Sequence, residues 1–269
     1  MWDDPRIQAL NSAEVVAALP SQPIVVITQS IAAGTTSVFT TALSATVGSG
    51  DLVTFPVQSA GNNRSIGLDN INTMTYLRDN DYSFAFWANY DVRQARKIGA
   101  AAMKNSAGRV VSPTTESLIS ALSDYEASGQ TSFESLLLSP GADSWPIASF
   151  ASIIYHQSTM EDCAEAAALA NFLYWAQTST TAGQVADRQG FVLVTNEAQL
   201  RGRFLNQLKA FTCDGDTVSH VANCINDGQL CSGAGVCTNN KCLCNTGREG
   251  QYCEGTISGS SDNTLVIAL

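Results

Sequence analysis

The chain has 269 residues, 45% of them apolar, and carries a formal net charge of -10 at pH 7. A chain of this length and composition can bury one large core or two modest ones, as soluble globular proteins do. Its 14 lysines and arginines are scattered. This balance of charge excludes nucleic acid and anionic lipid as partners, because both bind largely through Lys and Arg.

Residues 1–212 alternate strand-like and helix-like segments, which predicts an α/β domain with mostly parallel strands. The clearest helix is 161–177, where Glu161 and Asp162 complement the dipole at the helix start. We predict that Thr195 caps the next helix. The predicted strands are 23–28, 52–57, 82–88 and 146–156, and the predicted inner face of the helix is Cys163, Ala166, Ala167, Ala170, Leu173 and Tyr174.

The loop after the first predicted strand reads "TQSIAAGTT" and leads into a helix that begins near Thr35. The first turn of a helix directs backbone N–H groups outward, and such a turn above a sheet edge can bind an anion. Many helix starts bind nothing, so the Gly-Thr-Thr sequence leaves both interpretations open.

Neighbouring segments give the loop a context. In chain order they include "LPSQPIVVITQSIAAGTTSVFTTALS", "FPVQSAGN", "NSAGRVVSPTTESLISAL" and "LANFLYWAQTSTTAGQVADRQGFVLV". In this order and spacing, from about Trp2 to Phe211, they resemble the phosphate-binding proteins of bacterial high-affinity phosphate transporters. The resemblance implies the type II periplasmic-binding-protein fold, an α/β clamshell of two lobes. It also implies an incomplete clamshell, with lobe two and the part that returns to lobe one.

The resemblance assigns the ligand loop residue by residue. The family loop reads Arg-Ser-Asp-Gly-Ser-Gly-Thr-Thr, and this chain has Gln29 for the arginine, Ile31 for the aspartate and Ala33 for the serine. A hydrogen bond to a charged group contributes about 1.5 to 3 kcal/mol, so we expect high-affinity phosphate binding to be lost. A small anion or another small solute would then bind weakly or not at all. The candidate ligand-binding residues of this degenerate anion loop are Gln29, Ser30, Gly34, Thr35 and Thr36.

Six of the eight cysteines fall within residues 224–253, with the spacing C-x6-C-x5-C-x4-C-x-C-x8-C. Such density is typical of a small module held by disulfides in an oxidising compartment. Zinc is the weaker alternative, because zinc sites favour C-x2-C pairs or nearby histidines. Cys163 and Cys213 are left over, and we expect them to pair with each other.

The end of this module, "CLCNTGREGQYC", resembles the closing signature of EGF-like modules. That resemblance implies the pairs Cys224–Cys237, Cys231–Cys242 and Cys244–Cys253. No acidic run precedes the first of these cysteines, so we predict no calcium site. We also predict no other metal and no cofactor.

The first residues, "MWDDPRIQALNSAEVV", contain no apolar core of a signal peptide. We therefore expect the chain to be part of a longer secreted or cell-surface protein. Near the other end, "TLVIAL" could open a membrane span that anchors the protein, or belong to a disordered tail. The sequon at Asn63 predicts N-glycosylation if the chain is secreted from a eukaryotic cell. The predicted division is a binding domain at 1–212, a linker at 213–223, an EGF-like module at 224–253 and a polar tail at 254–269.

Motifs of serine hydrolases, P-loop proteins and zinc proteases are missing from the sequence, so we predict that the protein is not an enzyme. We interpret His156 as a packed or rim histidine and His220 as a solvated linker residue. Two functions remain. One is a solute-binding ectodomain, with the EGF-like module as a spacer that could also contact a protein partner. The other is a structural or adhesive surface protein whose binding fold holds no ligand.

Overall fold

The structure is a computed structural model, which describes residues 1–29, 33–47, 66–68, 70–95, 97–129 and 136–257. The chain divides into two compact units. The predicted strand at 52–57 lies outside the described residues. The first unit comprises Met1–Ala151 with Asp187–Phe191, and the second comprises Ser152–Ala186 with Val192–Leu269.

A parallel sheet of three short strands lies at the centre of the first unit. Strand β1 (Val25–Gln29) pairs with β2 (Ile66–Leu68) on one side and β3 (Ser83–Ala85) on the other. A run of β-branched residues in β1 favours extended backbone, and Ile27 in its middle is almost fully buried. The prediction of helices alternating with strands is confirmed, but among the described residues parallel pairing is confined to β1, β2 and β3.

The N-terminal segment is tied to the start of this sheet. The backbone N–H of Trp2 donates to the carbonyl oxygen of Gln22 at 2.9 Å. The indole N–H of Trp2 donates to the carbonyl oxygen of Tyr82 at 3.0 Å. The same oxygen accepts the N–H of Val25 at 3.1 Å. Two donors that are distant in sequence therefore share one acceptor where β1 and β3 begin.

Helices and two short hairpins complete the first unit. Helix α6 buries Ala121, Leu122 and Tyr125, and a capping box formed by Thr114 and Ser117 satisfies backbone N–H groups at its start. The helices are α1 (Pro5–Gln8), α2 (Ala13–Ala18), α3 (Gly34–Val47), α4 (Asn70–Asp79), α5 (Asn89–Gln94) and α6 (Thr115–Ala127). The hairpins pair β4 (Met103–Lys104) with β5 (Val110–Val111) and β6 (Leu136–Leu137) with β7 (Ile147–Ala148).

Helix α6 is held to the loop before β7 by the carboxylate of Asp124. This carboxylate accepts the N–H of Gly141 at 2.7 Å and the hydroxyl of Ser144 at 2.6 Å. The side-chain amide of Asn105 donates to the carbonyl oxygens of Gly141 at 3.1 Å and Ala142 at 2.8 Å. The loop is therefore fixed by side chains from two directions.

The second unit is built on helices α7 (Cys163–Thr178), α8 (Thr180–Arg188) and α9 (Ala198–Lys209). The predicted helix at 161–177 is confirmed within two residues at each end. Its start is capped by Asp162, whose carboxylate accepts the N–H groups of Ala164 and Glu165 at 2.7 and 3.2 Å. The core residues are Ala166, Ala170, Leu173, Leu205, Leu208, Phe211, Cys213, Val221 and Ile225.

The predicted strand at 146–156 is wrong over most of its length. Only Ile147–Ala148 is extended and paired, and the residues that follow have no strand partner among the described residues. Ile153 and Ile154 are 63% and 96% exposed. An apolar run therefore passes along the surface here.

Thr195 does not cap α9, so the prediction of a cap at this residue is wrong. Thr195 lies in a 3-10 turn (Val194–Asn196), and α9 begins after Glu197 without a side-chain cap. The buried hydroxyl of Thr195 donates to the carbonyl oxygen of Gln177 near the end of α7. The hydroxyl of Thr195 therefore bonds to a residue 18 positions earlier instead of capping the helix that follows it.

The described residues from Thr212 onward form four short hairpins, and the last three of them belong to the disulfide-rich module. Three of the four turn through two residues with positive φ, namely Asp214–Gly215, Asp227–Gly228 and Asn239–Asn240, as residues of this kind favour. No helix in the described ranges is both long and apolar enough to cross a membrane. The strand pairs are β8 (Thr212–Cys213) with β9 (Asp216–Thr217), β10 (Ile225–Asn226) with β11 (Gln229–Leu230), β12 (Gly235–Thr238) with β13 (Lys241–Cys244), and β14 (Arg248–Glu249) with β15 (Gly255–Thr256).

Candidate functional site

The candidate ligand loop joins β1 to α3. Gln29 is the last residue of β1 and pairs with Leu68 in the parallel register. Ser30 and Ile31 lie outside the described residues. Helical hydrogen bonding begins where the N–H of Ser37 donates to the carbonyl oxygen of Ala33 at 3.1 Å.

The first turn of α3 contains Gly34, Thr35 and Thr36. Gly34 is exposed and the two threonines are half-buried. A Cβ atom added to Gly34 would meet no described atom within 4 Å, so the backbone is approachable there. This turn has no acidic residue. A helix start of this kind favours a nearby anion by about 0.3 to 1 kcal/mol at an exposed position.

A second polar group, which the sequence analysis missed, lies at the start of α6. The hydroxyl of Thr115 donates to the Asp187 carboxylate at 2.5 Å, and Arg93 donates to the carbonyl oxygen of Asp187 at 2.7 Å. Hydrogen bonds to its own backbone and to the Thr114 side chain lower the pKa of Glu116. These groups are mostly exposed, and their partners are 72 and 94 residues apart, so no local pattern could have found them.

His220 is exposed and also contacts α7. Its backbone N–H donates to Oδ1 of Asn171 at 3.0 Å, and its ring nitrogen Nδ1 contacts the same oxygen. The edge of the ring packs against Tyr174, with 5.2 Å between the ring centroids. His156 is exposed, and its Nδ1 lies 3.1 Å from the hydroxyl of Thr159.

All eight cysteines are joined in disulfide bonds. Two groups within the described ranges bring three potential metal-ligating side chains together, Cys224 with Cys231 and Cys242, and Cys163 with Cys213 and Asp214. The disulfides leave no thiolate in either group to hold a metal ion. The bonds are Cys163–Cys213, Cys224–Cys237, Cys231–Cys242 and Cys244–Cys253, with Cα atoms 5.4, 5.8, 5.5 and 5.2 Å apart.

The remaining predicted sites fall where the structure gives no description. Asn63 lies outside the described residues, and so do residues 258–269 of the predicted tail. Glycosylation at Asn63 and a membrane span in the tail stay predictions.

No protein-family model matches the chain. Two proteins of Acanthamoeba polyphaga mimivirus that carry the name "Putative serine/threonine-protein kinase/receptor" are each 34% identical to it. One match spans 278 aligned positions, 99% of this chain and 17% of the relative. The other spans 279 positions, 100% of this chain and 16% of the relative. The chain thus spans about one sixth of the length of these relatives.

A third relative is the phosphate-binding protein PstS of Methanocaldococcus jannaschii. It is 30% identical over 195 residues, which are 66% of this chain and 49% of that protein. The resemblance to phosphate-binding proteins is therefore confirmed over about two thirds of the chain. The fold is periplasmic-binding-like in this part and ends in a small disulfide-rich module.

The prediction that the protein is not an enzyme is wrong. The relatives that match along the whole chain are named for a protein kinase and receptor. The absent motifs belong to hydrolases, P-loop proteins and zinc proteases, not to protein kinases, and the chain spans only about a sixth of these relatives.

Proposed function

We propose that the chain is a solute-binding-like ectodomain of a larger cell-surface receptor, and that the whole protein is a serine/threonine kinase of the kind its viral relatives are named for. The observation that carries this proposal is the match of 99% of the chain to only 17% of a receptor-named relative. The same chain matches PstS over 66% of its length. A solute-binding segment within a much longer receptor accounts for both.

The disulfides support an extracellular location for this chain. Four disulfide bonds in about 90 residues are typical of proteins exposed to an oxidising compartment and are rare in the cytosol. In this proposal the module at 224–253 is EGF-like. Its pairing joins the first cysteine to the third, the second to the fourth and the fifth to the sixth, which supports that assignment.

The ligand in this proposal is a small anion that binds weakly at the β1–α3 loop. The exposed backbone of Gly34 and the absence of an acidic residue in the first turn support an anion. Gln29, Ile31 and Ala33 stand where the related loop has an arginine, an aspartate and a serine. Loss of the arginine alone would weaken binding about ten- to a hundredfold.

Calorimetry of the 269-residue chain with inorganic phosphate tests the ligand. We expect a dissociation constant no tighter than about 1 mM, since a helix start alone contributes far less than a micromolar site requires. The triple variant Gln29→Arg, Ile31→Asp and Ala33→Ser should gain affinity only in a longer chain that also includes a complete lobe one. Micromolar binding by the unmodified chain would refute the proposed loss.

The receptor part of the proposal has its own test. The full-length protein should phosphorylate itself on serine or threonine when supplied with ATP and Mg²⁺. Absence of that activity would refute the kinase assignment and would leave the calorimetric result on the loop unaffected.

A second candidate is a structural or adhesive surface protein without a small ligand. The three changed loop positions favour it. A thermal-shift series with phosphate, sulfate and small neutral solutes separates the two candidates. A shift produced by one solute and not by the others at equal concentration requires a ligand-binding state, whereas phosphate and sulfate both stabilise folded proteins without a site by exclusion from the surface.

A further inference from the structure

Helix α9 approaches the disulfide-rich module so closely that a Cβ atom does not fit at Gly228. Gly202 of α9 faces Gly228 in the turn between β10 and β11. A Cβ atom added to Gly228 would lie 2.7 Å from the Cα and 2.8 Å from the carbonyl oxygen of Gly202. Packed atoms do not approach backbone this closely, so the two backbones are in direct contact.

Apolar contacts continue from the same face of the helix. Leu205 and Leu208 are almost fully buried, and Ile225 at the start of β10 is completely buried in the same core. A module that moved independently on a flexible tether would have to expose Ile225 to water, which is unfavourable for an apolar side chain.

Polar contacts at the end of α9 form a third link. The Nζ atom of Lys209 donates to the carbonyl oxygen of Ile225 at 2.7 Å. The same ammonium group lies 5.4 Å from the centre of the Tyr252 ring, within cation–π range. Lys209 thus joins both ends of the module to one helix.

We infer that α9 and the disulfide-rich module form a single mechanical unit, in which the module relays displacement of the helix instead of acting as an independent spacer. The disulfides restrict motion inside the module, and the backbone, apolar and lysine contacts restrict motion between module and helix. The inference holds whether or not the β1–α3 loop binds a ligand.

Two glycine variants of the 269-residue chain test this inference as a matched pair. Gly228 and Gly215 each follow an aspartate in a two-residue turn and have φ values of 70° and 89°. Gly228→Ala and Gly215→Ala therefore place alanine in the same unfavourable backbone region. A Cβ atom on Gly215 meets no described atom within 4 Å, so only Gly228→Ala pushes against α9.

Hydrogen–deuterium exchange of peptides from α9 gives the result. We expect exchange in α9 to be about 10- to 100-fold faster in Gly228→Ala and unchanged in Gly215→Ala, because the helix loses its packing partner only in the first variant. Equal exchange in α9 for the two variants would overturn the inference.

A lysine pair decides the question if Gly228→Ala does not fold. Lys209→Met removes the bonds to the module, and Lys241→Met removes an exposed lysine of β13. Faster exchange in both α9 and β10 for Lys209→Met alone supports the mechanical unit. Wild-type exchange in Lys209→Met refutes it.

Discussion

Removal of the Cys163–Cys213 disulfide should destabilise the second unit more than removal of a disulfide within the module. The bond joins the first residue of α7 to β8 and closes a loop with a sequence separation of 50. On the chain-entropy model, a crosslink over this span stabilises the folded state by about 4 kcal/mol at 25 °C. The variant is Cys163→Ala with Cys213→Ala.

The Cys244–Cys253 disulfide is a matched control. Its sequence separation is 9, for which the same model gives about 2.6 kcal/mol. Each bond joins one half-buried cysteine to one that is almost fully buried. Packing losses in the two double-alanine variants should therefore be similar, and the difference of about 1.5 kcal/mol reflects loop length.

Urea denaturation monitored by far-ultraviolet circular dichroism measures both losses, after peptide mapping without reductant has identified the bonds in the wild type. Equal losses, or a larger loss for Cys244–Cys253, would refute the reasoning from loop length. Free Cys163 and Cys213 thiols in the wild type would refute its premise.

Three further changes test single contacts. Asp162→Ala removes the cap of α7 and should cost about 1 kcal/mol in urea denaturation, and an equal loss in Glu161→Ala, one residue earlier, would contradict the cap. Asp124→Ala should cost about 2 to 4 kcal/mol in the same assay, because two donors lose a carboxylate acceptor; Asp143→Ala breaks only an exposed ion pair and should cost less than about 1 kcal/mol. Burial raises the pKa of Tyr155, so the folded state retains this proton longer than the unfolded state and stability falls as pH rises above about 10. Urea titrations on both sides of that pH should show a smaller decline in Tyr155→Phe, and an identical decline would argue against this origin.

Local sequence patterns predicted the helices and strands that are stabilised by residues within the same segment. Helix α7 was found because small and apolar residues recur at helical spacing and Asp162 precedes them as a cap. Strand β1 was found because its β-branched residues favour extended backbone wherever the strand pairs. In both cases the residues that determine the element lie within it.

The failures concern residues whose partners are distant in sequence. Ile153 and Ile154 have the apolar character of a strand, but a strand also requires a neighbour to pair with. Thr195 has the right residue type for a helix cap, yet its hydroxyl bonds to Gln177, 18 residues earlier. A pattern in a single segment cannot distinguish these alternatives.

In the candidate site, too, local features could be predicted from the sequence and contacts between distant residues could not. The position of the loop between β1 and α3 follows from the sequence, because a strand-forming run is followed by Gly34 and a helical segment. The link between Arg93 and Asp187 could not be found, since 94 residues separate the two. Ligand binding by Gln29, Ser30, Gly34, Thr35 and Thr36 stays a prediction.

The shared carbonyl oxygen of Tyr82 gives the first unit an optical reporter. The indole of Trp2 donates to this oxygen, which also accepts the first backbone N–H of β1. Separation of β1 from β3 would remove the acceptor from the indole and let water take its place. The fluorescence of a tryptophan depends on the environment of its indole. The emission of Trp2 should therefore change when the contact with Tyr82, 80 residues later in the chain, is lost.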